Sequence, residues 1–231
     1  MADSPPRRRD ERLDATRLAL HAVAEQLLAG PQHRRIATVR LAVADGGFTT
    51  GQLPGEPSRL AVRGTTLIAD HSDGQRCVPL SGSIAELARA VGVEPGAPAD
   101  VYHDGSGTDP SFEVSLDAAS AAEVLLGFQL GDQALREVAA RHAAGAPEAP
   151  VLWPEHFDVA ITLNRINLGV SPGDGYIDEP YAYVGPWEHH IGAFWDQPFG
   201  AARLVRHLQS AEALLAFFEE GLAAAVADPT A

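Results

Sequence analysis

The stretch Gly169-Val170-Ser171-Pro172-Gly173 spells G-x-S-x-G, a pattern that can mark the nucleophile turn of a serine hydrolase. In that turn the serine sits between a strand and a helix, and the backbone N–H of the next residue helps bind the oxyanion. Here the next residue is Pro172, which has no N–H and pushes Ser171 towards extended geometry. Gly173-Asp174-Gly175 follows, which reads as a loop. The pattern is therefore expected to be a tight turn between two strands, with glycine and proline setting the backbone.

Other reactive side chains gather around it. In "WPEHFDVA", His156 and Asp158 are two apart, so on a strand they would share a face, with Glu155 opposite. His189 and His190 follow in "WEHH". Two histidines and one carboxylate could hold a non-haem metal with positions open to oxygen or water, or a zinc ion with bound hydroxide. His156, Asp158, His189 and His190 are the metal-ligand candidates, against a solvated "EHH" loop as the alternative. The chain contains no H-E-x-x-H.

All three tryptophans and three of the four tyrosines fall between 151 and 200. Such side chains suit a core or a ligand cleft. Trp153, Tyr176, Tyr181, Tyr183 and Trp187, with Asp174 and Glu179, are the candidate ligand-binding residues. Tyr181 and Tyr183 share one face of a strand, and Ala182 and Val184 the other. The small apolar side is expected to face the core, leaving the tyrosines to a cleft or an overlying loop.

Composition narrows the chemistry. The 231 residues carry a formal charge of −14, which disfavours nucleic acid and anionic membranes as partners. Every one of the 17 basic residues is arginine. That excludes a lysine Schiff base and the phosphate-binding lysine of a P-loop. Cys77 is the one cysteine, so an internal disulfide and thiolate metal clusters are excluded. No G-x-G-x-x-G opens a helix after a strand, so a nucleotide cofactor has no support. "DGSGTD" at 104–109 resembles a phosphate cradle only loosely and reads as a flexible loop. No cofactor is expected, with a divalent metal as the alternative. The basic N-terminus lacks a following apolar run and is not read as a secretory signal. A soluble, cytoplasmic protein is expected.

Residues 1–9 read as a mobile tail. Apolar residues at helical spacing predict a helix from Leu13 to about Ala29, ended by Gly30-Pro31. Alternation over 36–43 predicts a strand, and Asp45-Gly46-Gly47 a turn. Two or three short strands follow to Leu80, with turns at Arg63-Gly64 and Asp73-Gly74. Ser83 to Glu86 fits a capping box opening a short helix that Gly92 stops. A long connection leads to a helix around 120–140, capped by Ser120 or Asp117, which Gly131 could break in two. His21 reads as a residue at the boundary of the first helix's apolar stripe. Strands return over 151–170 and 181–187, and a last helix runs from Ser210 to about Val226. No internal sequence repeat is found. Because strands come in runs, the expected class is α+β, largely antiparallel with about three main helices. Residues 10–231 are read as one domain, with a division near 95–112 as the alternative.

At "VLWPEHFDVA", "NLGVSPGDG", "EPYAYVGPW" and "FWDQPFGA" the chain resembles a family of uncharacterised proteins from high-GC Gram-positive bacteria. The similarity extends to "RLAVADGGFTT" and "GTTLIADHSDG". It implies a shared fold and a chain close to complete, and assigns no activity or catalytic residue. Two functions stay open. One is a module binding a small molecule or a protein partner through an aromatic cleft in 151–200. The other is a metal-dependent hydrolase or oxygenase using His156, Asp158 and His189 or His190. Oligomeric state is not determined by the sequence.

Overall fold

The computed structural model describes residues 10–145 and 147–230; the tail expected at 1–9 lies outside them. Asp10 caps the first helix, α1 (Glu11–Val23), by accepting the N–H of Arg12 at 3.0 Å. The helix does not stop at Gly30-Pro31. It passes through a π-helical turn, Ala24–Ala29, into α2 (Gly30–Ile36) and ends at Ala37 in the left-handed conformation. Gly30 donates its N–H to the Glu25 carbonyl, five residues back. Pro31 thus falls at the first turn of a new α-register, where a missing N–H costs little. The strand expected over 36–43 shrinks accordingly to β1 (Ala42–Ala44), with Leu41 just ahead of it.

Two antiparallel meanders of five strands follow the same plan. The first runs through β1, β2 (Gly47–Thr49), β3 (Arg59–Arg63), β4 (Thr66–His71) and β5 (Gly74–Pro79). A short pair, β6 (Gly82–Ser83) and β7 (Glu113–Val114), flanks α3 (Ile84–Val91). Ser83 and Glu86 form the expected capping box, and Gly92 ends α3 at φ +77°. Asp117 caps α4 (Ala118–Arg141) through the N–H of Ser120 at 2.9 Å. The second meander comprises β8 (Val151–Trp153), β9 (Asp158–Leu163), β10 (Ile166–Ser171), β11 (Tyr181–Pro186) and β12 (Ala201–Leu204). Its last strand leads into α5 (Val205–Leu208) and α6 (Ala211–Ala227). The protein is α+β with antiparallel sheets and, among the described residues, six α-helices; the three long helical runs are 11–36, 118–141 and 211–227. Among the described residues, no helix is long and apolar enough to cross a membrane.

Each half therefore reads helix, five-strand meander, helix. The repeat lies in the order of elements, which is why no residue pattern betrays it. The halves meet where Leu41 and Leu152 exchange backbone hydrogen bonds of 3.2 and 3.0 Å. These two residues sit at the first strand of each meander, so the first strands lie beside one another.

One apolar core spans both halves. At its centre Phe157, in the turn between β8 and β9, packs edge-on against Phe48 of β2 and Phe128 of α4, at 5.8 and 5.1 Å between ring centres. α4 crosses the second sheet closely and without a break. A Cβ placed on Gly131 would lie 2.7 Å from Val170 and 3.0 Å from Val159. The glycine read as a helix breaker is thus a contact point. Replacing it with alanine would gain about 1 kcal/mol of helix propensity but overpack the helix–sheet contact by about 1–3 kcal/mol. Gly131→Ala is therefore expected to lower the urea midpoint. A raised midpoint would show that the contact can relax.

Candidate functional site

The outer face of the second sheet carries the site. Strand alternation puts Asp158, Ala160 and Thr162 of β9 outward, with Asn167, Gly169 and Ser171 of β10 and Tyr181, Tyr183 and Gly185 of β11. Their partners across the sheet are Gly169 with Ala160 and Tyr183, Ser171 with Tyr181, and Asn167 with Gly185. Ala182 and Val184, on the other face, are fully buried in the core.

The middle row is built from small residues, and Tyr183 uses the space. Its ring lies down over Gly169, where an added Cβ would sit 2.5 Å from the phenol oxygen. Lying flat, Tyr183 reaches across two strands and donates its hydroxyl proton to Oδ2 of Asp158. Asp158 is only 7% exposed, and its Oδ1 makes no hydrogen bond. Burial pushes the Asp158 carboxyl above the usual carboxylate range. The Tyr183 bond, the nearby His156 and its own backbone N–H oppose that shift without overcoming it. Burial first, then Asp158, raises Tyr183 well above the ordinary phenol value.

A second tyrosine–carboxylate pair lies alongside. Tyr181 donates to Oδ2 of Asp174 at 2.5 Å, and Oδ1 of Asp174 accepts the N–H groups of Tyr176 and Ile177 at 2.7 and 3.0 Å. Burial and then Asp174 raise the Tyr181 phenol. Aromatic rings continue the wall: Tyr183 to Tyr181 at 6.2 Å, Tyr181 to Phe199 at 6.2 Å, Phe199 to Tyr176 at 5.8 Å. Trp187, held by Asn167 Oδ1 at 3.3 Å from its Nε1, closes the far side. Together they bound an open cleft of about 590 Å³ with Asp158 and His156 at one end.

Ser171 belongs to this cleft as a structural residue. Its Oγ accepts the N–H of Gly173 at 3.2 Å, closing the chain's exit from β10. The segment that follows is a loop, and Pro172 supplies no oxyanion donor. The G-x-S-x-G pattern thus combines a floor glycine, a turn serine and a turn glycine.

Comparison with protein-family models, curated proteins and solved structures found no match.

The structure brings Tyr176, Tyr181, Tyr183, Trp187 and Asp174 together and leaves the other two candidates elsewhere. Trp153, on β8, lies under the guanidinium of Arg40 at 5.3 Å. Glu179 is buried and paired with Arg206 at 2.7 Å. The four metal-ligand candidates are dispersed. His156 is exposed in the turn before β9, not on a strand, and shares the cleft with Asp158, whose Oδ2 is taken by Tyr183. His189 and His190 line a different hollow, where His190 stacks on Trp195 at 5.1 Å and meets the Asp228 carbonyl at 3.2 Å. Among the described residues, no group of three or more His, Cys, Asp or Glu side chains is placed to hold a metal.

Phe199 and Asn167 complete the cleft and were not among the candidates. Asn167 could have been found by extending the alternation of Gly169 and Ser171 back one step. Phe199 belongs to the same aromatic-rich stretch of 151–200 and reaches the site from the turn before β12.

A polar hollow of about 480 Å³ adjoins the cleft and shares His156 and Asp174 with it. His21 lines it, stacked flat on Phe157 at 5.2 Å, with Nε2 donating to the Pro154 carbonyl at 2.6 Å. Burial lowers the His21 pKa, against the opposing effects of Glu25 and that carbonyl. Glu25, in the π-helical turn, is itself buried and accepts the N–H of Ser106 at 2.7 Å. Gln26 donates to Thr108 at 2.7 Å. The 104–109 loop is thus tied onto the helix, and the group beneath it is the protein's own Glu25 side chain.

The raised Asp158 pKa has a definite sign. The unfolded chain releases this proton near pH 3.9, whereas the folded protein holds it longer. The group's contribution to stability is thus complete below that pH and lost as pH rises towards the folded value. Asp158→Asn cannot ionise, so its stability relative to the parent should climb between pH 4 and pH 8 in urea titrations. Parallel curves would mean that Asp158 ionises normally in the fold. Tyr183→Phe leaves both Asp158 oxygens without a partner side chain and should cost about 1–3 kcal/mol. Gly169→Ala should cost a comparable amount in the parent and much less in the Tyr183→Ala background, because the added methyl collides with the ring. Equal costs in both backgrounds would contradict that placement.

Proposed function

We propose that the protein is a cytoplasmic binding protein that holds a small molecule in the cleft on the outer face of its second sheet. The observation that carries this reading is the Asp158 carboxyl group, buried at the end of an aromatic cleft with one oxygen taken by Tyr183 and the other left without a partner. Burying a polar atom unpaired costs free energy, and native structures leave few such atoms. A donor from a bound molecule beside Tyr183 would complete the set. The cleft volume lies within the range of small-molecule sites, about 300–1,000 Å³. Its lining also has the composition of such sites: large aromatic walls and a few convergent polar groups.

The metal-dependent hydrolase or oxygenase has less support, because its candidate ligands lie in different hollows. The acidic charge argues against nucleic acid and anionic membrane partners. The sequence resemblance to proteins of high-GC Gram-positive bacteria fits this reading by suggesting a shared fold, and it adds no activity.

The test is a thermal-shift screen of the full chain against a library of small polar and aromatic molecules, with hits mapped by NMR of the tryptophan and tyrosine side chains. Hits are expected to move Trp187, Tyr181 and Tyr183 signals and to weaken in Trp187→Leu. Hits that perturb only other surfaces, or a library that yields none, would count against the cleft.

A further inference from the structure

The charge and the rings of the cleft bear on which molecule it takes. Two acidic side chains, Asp158 and Asp174, line it, and no arginine does. Each carboxylate accepts a tyrosine hydroxyl, from Tyr183 and Tyr181 respectively. A phenol that donates to a carboxylate has a more electron-rich ring, and aromatic faces attract cations through that electron density. Trp187 already shows the preference: the Arg165 guanidinium lies over its ring at 5.5 Å while pairing with Glu188 at 3.1 Å. Asp158 adds an acceptor that is more than nine-tenths buried and unpaired at one oxygen. The net charge of −14 favours the approach of positive ligands from a distance.

We infer that the cleft takes a small organic cation of the alkylammonium class, with its charged head against the Tyr181, Tyr183 and Trp187 rings and a donor group, such as a hydroxyl, reaching the open oxygen of the Asp158 carboxyl group. This rests on the binding reading above and names its ligand class. An anion would meet the Asp174 carboxylate and the open acceptor oxygen of Asp158, with no guanidinium lining the cleft to offset them. A polyol would use the rings as a stacking platform and the carboxylates as acceptors, but would draw nothing from the polarised phenols or the overall charge.

The experiment compares three probes on the full chain by calorimetry and by NMR of the aromatic side chains. They are choline, its uncharged carbon isostere 3,3-dimethylbutan-1-ol, and sorbitol. Choline and the isostere have nearly the same shape, so their difference reads the charge. Choline should bind about tenfold or more tightly than the isostere, the scale of a desolvated cation–π contact. That preference should shrink in Trp187→Leu, whose parent residue is 60% exposed and whose loss leaves the core intact. Equal binding of choline and the isostere would overturn the cation class while leaving the cleft as a binding site. Sorbitol moving the cleft signals without choline doing so would have the same consequence. Silence from all three, with hits from the library screen mapping to the cleft, would also remove the cation class alone. Silence in both experiments would remove the binding reading with it.

Discussion

The burial of the Phe157 ring is the interaction on which the rest of the structure turns. Its backbone has a φ of +52°, a conformation that costs a residue with a side chain about 1–3 kcal/mol. Burying a phenylalanine gives back about 1.5–3 kcal/mol, and Phe157 is almost fully buried. The ring meets His21 from the first helix, Phe48 from the first sheet and Phe128 from α4. One side chain thus joins both halves of the molecule, and the strained turn that carries it is held by that packing.

The turn has consequences on either side of Phe157. With the ring driven inward, His156 is left on the surface at the mouth of the cleft, and Asp158 starts β9 on the outer face. There the small residues Ala160 and Gly169 let Tyr183 lie flat and cover the carboxyl group. A buried acid of this kind is a poor stabiliser of a fold, because its charged form is penalised wherever water cannot reach. Its neighbours compensate only in part. The remaining oxygen stays without a hydrogen bond.

The two halves share a plan and differ in what they place on it. In the first meander, one outward row consists of Arg59, Asp70 and Gln75, closed among themselves by hydrogen bonds of 2.8 Å. Polar groups satisfied in that way have little to offer a ligand. In the second meander the outward rows carry glycine, tyrosine and one half-satisfied carboxyl group, that of Asp158, beneath loops that bring Tyr176 and Phe199. The same arrangement of strands gives a solvated surface in one half and a concave aromatic one in the other.

Local patterns determined a good deal. The capping box at Ser83, the turns at Asp45, Gly64 and Asp73, and the opposed faces of Tyr181 and Val184 all depend on residues a few positions apart, whose conformational preferences act without the rest of the chain. So did the failure of Ser171 as a nucleophile, since a proline lacks its N–H in any fold. The passage of the first helix through Gly30-Pro31 was decided by tertiary structure, where close packing against the first half, with Gly96 set against Gly30, outweighs the local stop signal. Gly131 likewise reads as a breaker in isolation and serves as a contact once Val159 and Val170 lie against it. The dispersal of His156 from His189 and His190 and the arrival of Phe199 beside Tyr181 depend on how strands far apart in sequence are ordered. Residue types and spacing announce which groups are present. Only the folded chain decides which of them share a cleft, because that is a matter of distances between segments the sequence keeps far apart.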